Sequence, residues 1–226
     1  MKKTIVSAVA AAGFVMAFGA HAQNVGDHEV GLIGQSLEFE NEDVTEFGGF
    51  YNYHNFNSAD SGYLYKAGAE WTTGDESGAD STTYDIGFTS GYRVDLSPNV
   101  TLDFLGGLGY KNWEVEDTSG FEGSVESVYF RYGGALQFEA NRDNTLRLEV
   151  GSRLHLNGDY ESSSADGSSF SQSIHNDNNL YAEASLLTES TGVPMRLSIF
   201  HEAKDYVIDD GETDAYTTGL KASVMF

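Results

Sequence analysis

From residue 145 the chain reads "TLRLEVGSRLHL", and apolar and polar residues take turns along it. Leu146, Leu148, Val150, Leu154 and Leu156 fall on one face; Arg147, Glu149, Arg153 and His155 fall on the other. A period of two is that of an extended strand, whose successive side chains point to opposite sides. The pattern recurs over 28–39, 45–54, 62–72, 83–94, 99–113, 127–140, 145–156, 179–188, 194–206 and 215–226. In 127–140, Val128, Phe130, Tyr132, Leu136 and Phe138 oppose Arg131, Gln137 and Glu139. No segment carries the i, i+3, i+4, i+7 spacing of an amphipathic helix. The reading is therefore all-β and antiparallel, with about ten strands and eight as the alternative. The first segment is the least regular, which predicts a bulge near Gly31–Gly34.

Alternation alone permits a soluble sandwich or a membrane barrel. The connections favour the barrel. "LSPN" (96–99), "ANRDN" (140–144) and "TESTGVP" (188–194) are short turns, whereas 72–82, 114–126 and 157–177 are longer polar loops. Turns at one end and longer loops at the other is the layout of an outer-membrane barrel. Aromatic residues bracket the apolar faces: Tyr63, Tyr65 and Trp71 on one strand, Tyr84 and Tyr92 on the next, Tyr216 and Phe226 on the last. Eight residues of tilted strand from Tyr63 to Trp71 rise roughly 20 Å, near the ~25 Å apolar band of such barrels. An up-and-down transmembrane β-barrel with an aromatic girdle is expected.

The charges are sorted in the same way. The regions read as extracellular (38–46, 72–83, 114–126, 157–179 and 205–215) hold 22 of the 35 acids and no lysine or arginine. The polar strand face carries Lys66, Arg93, Lys111, Arg131, Arg147, Arg153, Arg196, Lys204 and Lys221. It also carries Glu70, Asp85, Asp103, Glu149, Glu183 and Glu202. Buried charge needs partners, so these residues are candidates for luminal ion pairs or a constriction. Strand order predicts the diagonal pairs Arg93–Asp103, Glu183–Arg196 and Glu202–Lys221. The same face is rich in glycine (Gly68, Gly87, Gly109, Gly151 and Gly219 among others), which would leave side-chain volume empty along the lumen.

At the start, Lys2 and Lys3 precede an apolar run and the small-residue site Ala20-His21-Ala22. That is the layout of a secretory signal peptide cleaved after residue 22, and the run is short for a membrane helix. Residues 23–226 then form one barrel domain. The formal net charge of −23 excludes a nucleic-acid binder, and the absence of cysteine excludes a disulfide framework or thiolate metal site. No metal site and no cofactor is expected.

The final strand, "TTGLKASVMF", alternates Leu220, Ala222, Val224 and Phe226 with polar or small residues and ends on the aromatic ring. Together with the signal, the hairpin rhythm and the girdle, it resembles small bacterial outer-membrane β-barrel proteins. The nearest group is the OmpA-transmembrane, OmpX and opacity-like "porin family" set. The resemblance implies that Leu220, Ala222, Val224 and Phe226 are the signal read by the barrel assembly machinery. It implies an outer-membrane location and contact with lipid, and it assigns no activity.

Catalytic sets are weak. His155 near Asp159, His175 near Ser173, and His201 beside Glu202 match no motif of a membrane acylase, phospholipase or protease. Acidic runs such as "ENEDVTE" and "DDGETD" lack calcium-loop spacing, though divalent cations could screen them. The expected function is a non-enzymatic, porin-like envelope barrel, a monomer, with a narrow pore for small solutes or ions. The alternatives are a surface-interaction or adhesin-type barrel acting through its acidic loops and, less favoured, a lipid-modifying enzyme or protease.

Overall fold

The alternating segments pair into one sheet that closes on itself. In the computed structural model, residues 28–39, 42–56, 62–76, 79–117, 120, 122–164, 167–173, 179–189, 192–208 and 211–226 are described. The proposed signal peptide and His175 lie outside them. The strands are β1 (His28–Phe39), β2 (Glu42–His54), β3 (Gly62–Glu76), β4 (Ala79–Ser97), β5 (Val100–Asp117) and β6 (Glu122–Asn141). They continue as β7 (Asn144–Ser163), β8 (Ser169–Ser173), β9 (Asn179–Thr188), β10 (Met195–Ile208) and β11 (Gly211–Met225).

Each strand pairs antiparallel with its neighbours, β7 joins β9, and β11 returns to β1 from Glu29↔Met225 to Phe39↔Ala215. Ten strands thus form a closed barrel, and β8 only extends β7. Closure removes both sheet edges, as a lipid surroundings requires. The seam ends on Phe226, whose N–H donates to the His28 carbonyl at 3.0 Å and whose ring stacks on the His28 imidazole at 5.6 Å.

The outward face carries a broad apolar belt. Phe88, Leu108, Val150, Leu186, Ile199 and Leu220 are exposed on it, and only lipid gives such a surface a favourable neighbour. Tyr63, Tyr84, Tyr92 and Tyr216 are exposed on that face, with Tyr65 and Trp71 half-buried beside them.

Two expectations are corrected. The bulge near Gly31–Gly34 is absent, and β1 runs in unbroken register with both neighbours. Its irregular look comes from Ile33 and Leu37, which point inward at 2% and 7% exposure and place apolar residues on both faces. The longer polar segments are also not simply loops. β4 to β7 run for 18 to 20 residues, far past the length needed to cross the bilayer. Polarity along 72–82 and 114–126 marks where the chain leaves lipid, not where it leaves the sheet.

Candidate functional site: the barrel lumen

Because β-strand side chains alternate, every polar residue between two lipid-facing ones is delivered to the interior. What fills that interior is a set of charge networks stacked along the barrel. At the turn end, Arg93 Nε and an Arg93 terminal nitrogen donate to the two oxygens of Asp103, at 2.6 and 2.7 Å, and neither residue has any solvent exposure. Arg93 also donates to Gln137 and to the carbonyl of Phe56. Arg147 binds Asp103 as well and reaches Glu149 at 3.1 Å; Arg131 closes on Glu149 from the other side.

Phe56 is the unexpected element here. Its position just after β2 carries it inside the barrel, where it packs with Leu64, Leu105 and Ala135. The Arg147 guanidinium lies 5.0 Å over its ring. Its backbone N–H donates to His54 Nδ1 at 3.2 Å, which makes Nδ1 the acceptor and leaves Nε2 to donate to Glu29 at 3.1 Å. Glu29 also accepts from Asn52, Ser223 and Arg196. Phe56 therefore fills space at the turn end of the lumen, between the Arg147 guanidinium and an apolar seat.

Midway up, Lys221 pairs with Glu70 at 2.7 Å, and Arg153 bridges Asp85 at 3.2 Å and Glu202 at 3.3 Å. Tyr129 donates to Asp85 at 2.6 Å. Of the three predicted pairs, Arg93–Asp103 forms. Glu183–Arg196 and Glu202–Lys221 do not pair as drawn: Arg196 lies across from Leu187 and Lys221 across from Ser198, each four residues off its supposed partner. Arg196 binds Glu29 and Lys221 binds Glu70 instead, partners brought across the barrel by closure. Lys111 lies on the inward face; the Lys204 side chain is outside the described residues.

Several of the inward glycines are covered by aromatic rings. A Cβ on Gly109 would stand 2.3 Å from the Tyr129 ring; on Gly151 and Gly219 it would meet Tyr181 and Phe200 at 2.5 Å. These rings lie across the glycine gaps and occupy the volume. Among the described residues the lumen holds a chamber of about 80 Å³ lined by Lys66, Arg131, Arg153, Arg196 and Lys221, and one of about 20 Å³ against Phe56.

Near the loop end Glu46 has no solvent exposure, although "ENEDVTE" reads as a solvated run. It accepts from Gln35 at 2.7 Å, from Thr72 at 2.6 Å, and from Ser81 and Thr83. Glu29, Glu46, His54, Phe56, Tyr129 and Tyr181 are functional-face residues that the sequence reading did not single out. The signal for Glu46 was present: it shares parity with Phe50, Asn52 and His54.

His155 contacts Asn179 at 3.1 Å, and His201 sits on the outward face against Thr218 and Tyr216. Among the described residues no three acidic or histidine side chains gather as a metal site.

A closed ten-stranded antiparallel barrel with a lipid-facing apolar belt and a charged lumen is an outer-membrane β-barrel, located in the bacterial outer membrane as a multi-pass protein. No family model and no curated protein matches the chain. Among solved structures it is similar to the translocator domain of the autotransporter NalP from Neisseria meningitidis, with TM-score 0.51, 14% identity, and 99% and 98% of the two chains covered. It is also similar to Ail, the attachment invasion locus protein of Yersinia pestis, with TM-score 0.40, 15% identity, and 88% and 96% covered. Identities this low speak to fold alone. The resemblance drawn from sequence therefore stands at the level of the class and selects no member.

Proposed function

We propose that the protein is a non-enzymatic envelope barrel with a closed lumen, whose working surface is the acidic wall raised above the membrane by β4 to β7. The observation that carries this reading is a row of like charges. Asp80, Glu116 and Glu122 are direct cross-strand partners on adjacent strands, all exposed. Like charges directly opposite one another destabilise a sheet. Glu114 and Glu161 extend the row around a cleft of about 550 Å³ that also holds Ser171 and the exposed ring of Phe170. A paired sheet that keeps this repulsion presents a negative surface suited to a cationic partner.

A narrow pore is the second reading, favoured by the two luminal chambers sharing Lys66, Arg131, Glu183 and Arg196 on their walls. Single-channel recording of the refolded barrel in a planar bilayer separates the two. The closed-lumen reading expects a properly inserted, silent barrel. Discrete steps that scale with salt would replace it with the pore.

A further inference from the structure

We propose that the mid-lumen chamber is a binding site for one small monovalent anion, a halide or a carboxylate of formate or acetate size, with Lys66 as its principal ligand. The argument begins with what the other charges on the wall are doing. Arg196 is taken up by Glu29, Lys221 by Glu70, and Arg153 by Asp85 and Glu202. Arg131 is taken up by Glu149 and lies over the Tyr181 ring. Lys66 is left over. Its ammonium lines both chambers yet makes no hydrogen bond or ion pair with any described residue.

The remaining carboxylate, Glu183, accepts from Ser185 at 3.1 Å and forms no ion pair with a described residue. Arg131 and Lys221 share the chamber wall with Lys66, as do Glu183 and Glu29. Two more donors are in surplus on the same wall: Arg131 Nε and Arg153 Nε have no acceptor. Glu149 and Glu202, just outside the chamber lining, complete the pairing of Arg131 and Arg153, so what the wall has in surplus is not charge but N–H donors: Lys66, Arg131 Nε and Arg153 Nε.

Donors without acceptors in a confined space are costly, and an anion that accepts from them removes that cost. A cation there would face Lys66, Arg131 and Lys221 at close range. The volume of about 80 Å³ exceeds the roughly 10–15 Å³ that one water needs, so an ion of halide or acetate size fits with a few waters. A sugar or a nucleotide does not fit. Phe56 fills space toward the turn end, so on the closed-lumen reading the anion is held rather than passed.

The test reads stability, not conductance, because a ligand bound only by the folded state raises its unfolding midpoint. The refolded barrel is heated in detergent while sodium chloride replaces sodium gluconate at constant ionic strength, gluconate being too large for the chamber. The midpoint of the folded-to-unfolded electrophoretic shift should rise with chloride and saturate. Lys66→Met should abolish the rise, Lys66→Arg should keep it, and Glu183→Gln should need about tenfold less chloride, as one opposing charge is removed. No chloride dependence in the natural chain, or the same rise in Lys66→Met, overturns the proposal. A barrel that is silent in a bilayer but stabilised by chloride keeps the anion site; one that conducts without chloride stabilisation loses it.

Discussion

Asp103 is the residue on which the turn end depends. It has no exposure, and two guanidinium groups share its oxygens. Removing one partner of a buried pair leaves charge uncompensated, which costs about 3–5 kcal/mol. Arg93→Met keeps Arg147 on Asp103 but strips donors from Gln137 and from the Phe56 carbonyl. A loss of about 3 kcal/mol is expected, read as a lower urea midpoint for the refolded barrel; an unchanged midpoint would show that Arg147 alone suffices. Glu46 makes the contrasting case, a buried carboxylate held by hydroxyl and amide donors. Glu46→Gln turns one acceptor into a donor facing Ser81 or Thr72, and a loss of about 1–3 kcal/mol is expected in the same assay. Arg93 and Asp103 were legible because they are direct partners across a short turn. Glu46 was legible only in part: its parity with Phe50, Asn52 and His54 points inward, while the run of acids around it reads as solvated.

At the scale of the element, strand order and closure were legible from the up-and-down rhythm, and side-chain partners across the lumen were not. Alternation identifies which residues face inward, but not which of them meet across the barrel. The partners of Arg196 and Lys221 come from β1 and β3, far away in sequence. Strand ends were misjudged for a related reason: β4 to β7 continue pairing after their residues turn polar. The glycines teach the same lesson. A glycine removes volume from its own strand, yet a neighbouring ring can refill it, as Tyr129 does over Gly109. Gly109→Ala should push Tyr129 away from Asp85 and lower the thermal midpoint, with overpacking of about 1–3 kcal/mol. On the closed-lumen reading, Phe56 is the residue to remove, since its ring and the Arg147 guanidinium occupy the turn end. Phe56→Gly in the planar bilayer is expected to give conductance steps where the natural chain gives none. If the variant stays silent, the ion-pair layers above Phe56 close the lumen by themselves.

For the whole molecule, two charge systems are kept apart by the bilayer. Inside the barrel, cations and carboxylates neutralise one another in a low-dielectric space where an unpaired charge is expensive. Above it, Asp80, Glu114, Glu116, Glu122 and Glu161 stand exposed on a paired sheet with no basic residue among them. This separation was readable from the sequence as the sorting of acids from bases, whereas the paired wall that displays them was not. If the wall is the working surface, its interaction is electrostatic and must weaken with salt. Screening falls from about 10 Å at 0.1 M to about 3 Å at 1 M ionic strength. The barrel in detergent should therefore bind polylysine-coated beads at low salt and release them near 1 M. Replacing the five acids by Asn or Gln should abolish capture while leaving the heat-modifiable barrel intact, since the substitutions also relieve repulsion between Asp80, Glu116 and Glu122. The thermal midpoint of that variant should rise. Capture that survives neutralisation would assign it to other acids of the chain, and a lowered midpoint would mean that the row is bridged rather than repelling. The combination of a more stable barrel and a lost partner is the signature of a surface whose repulsion is kept for binding.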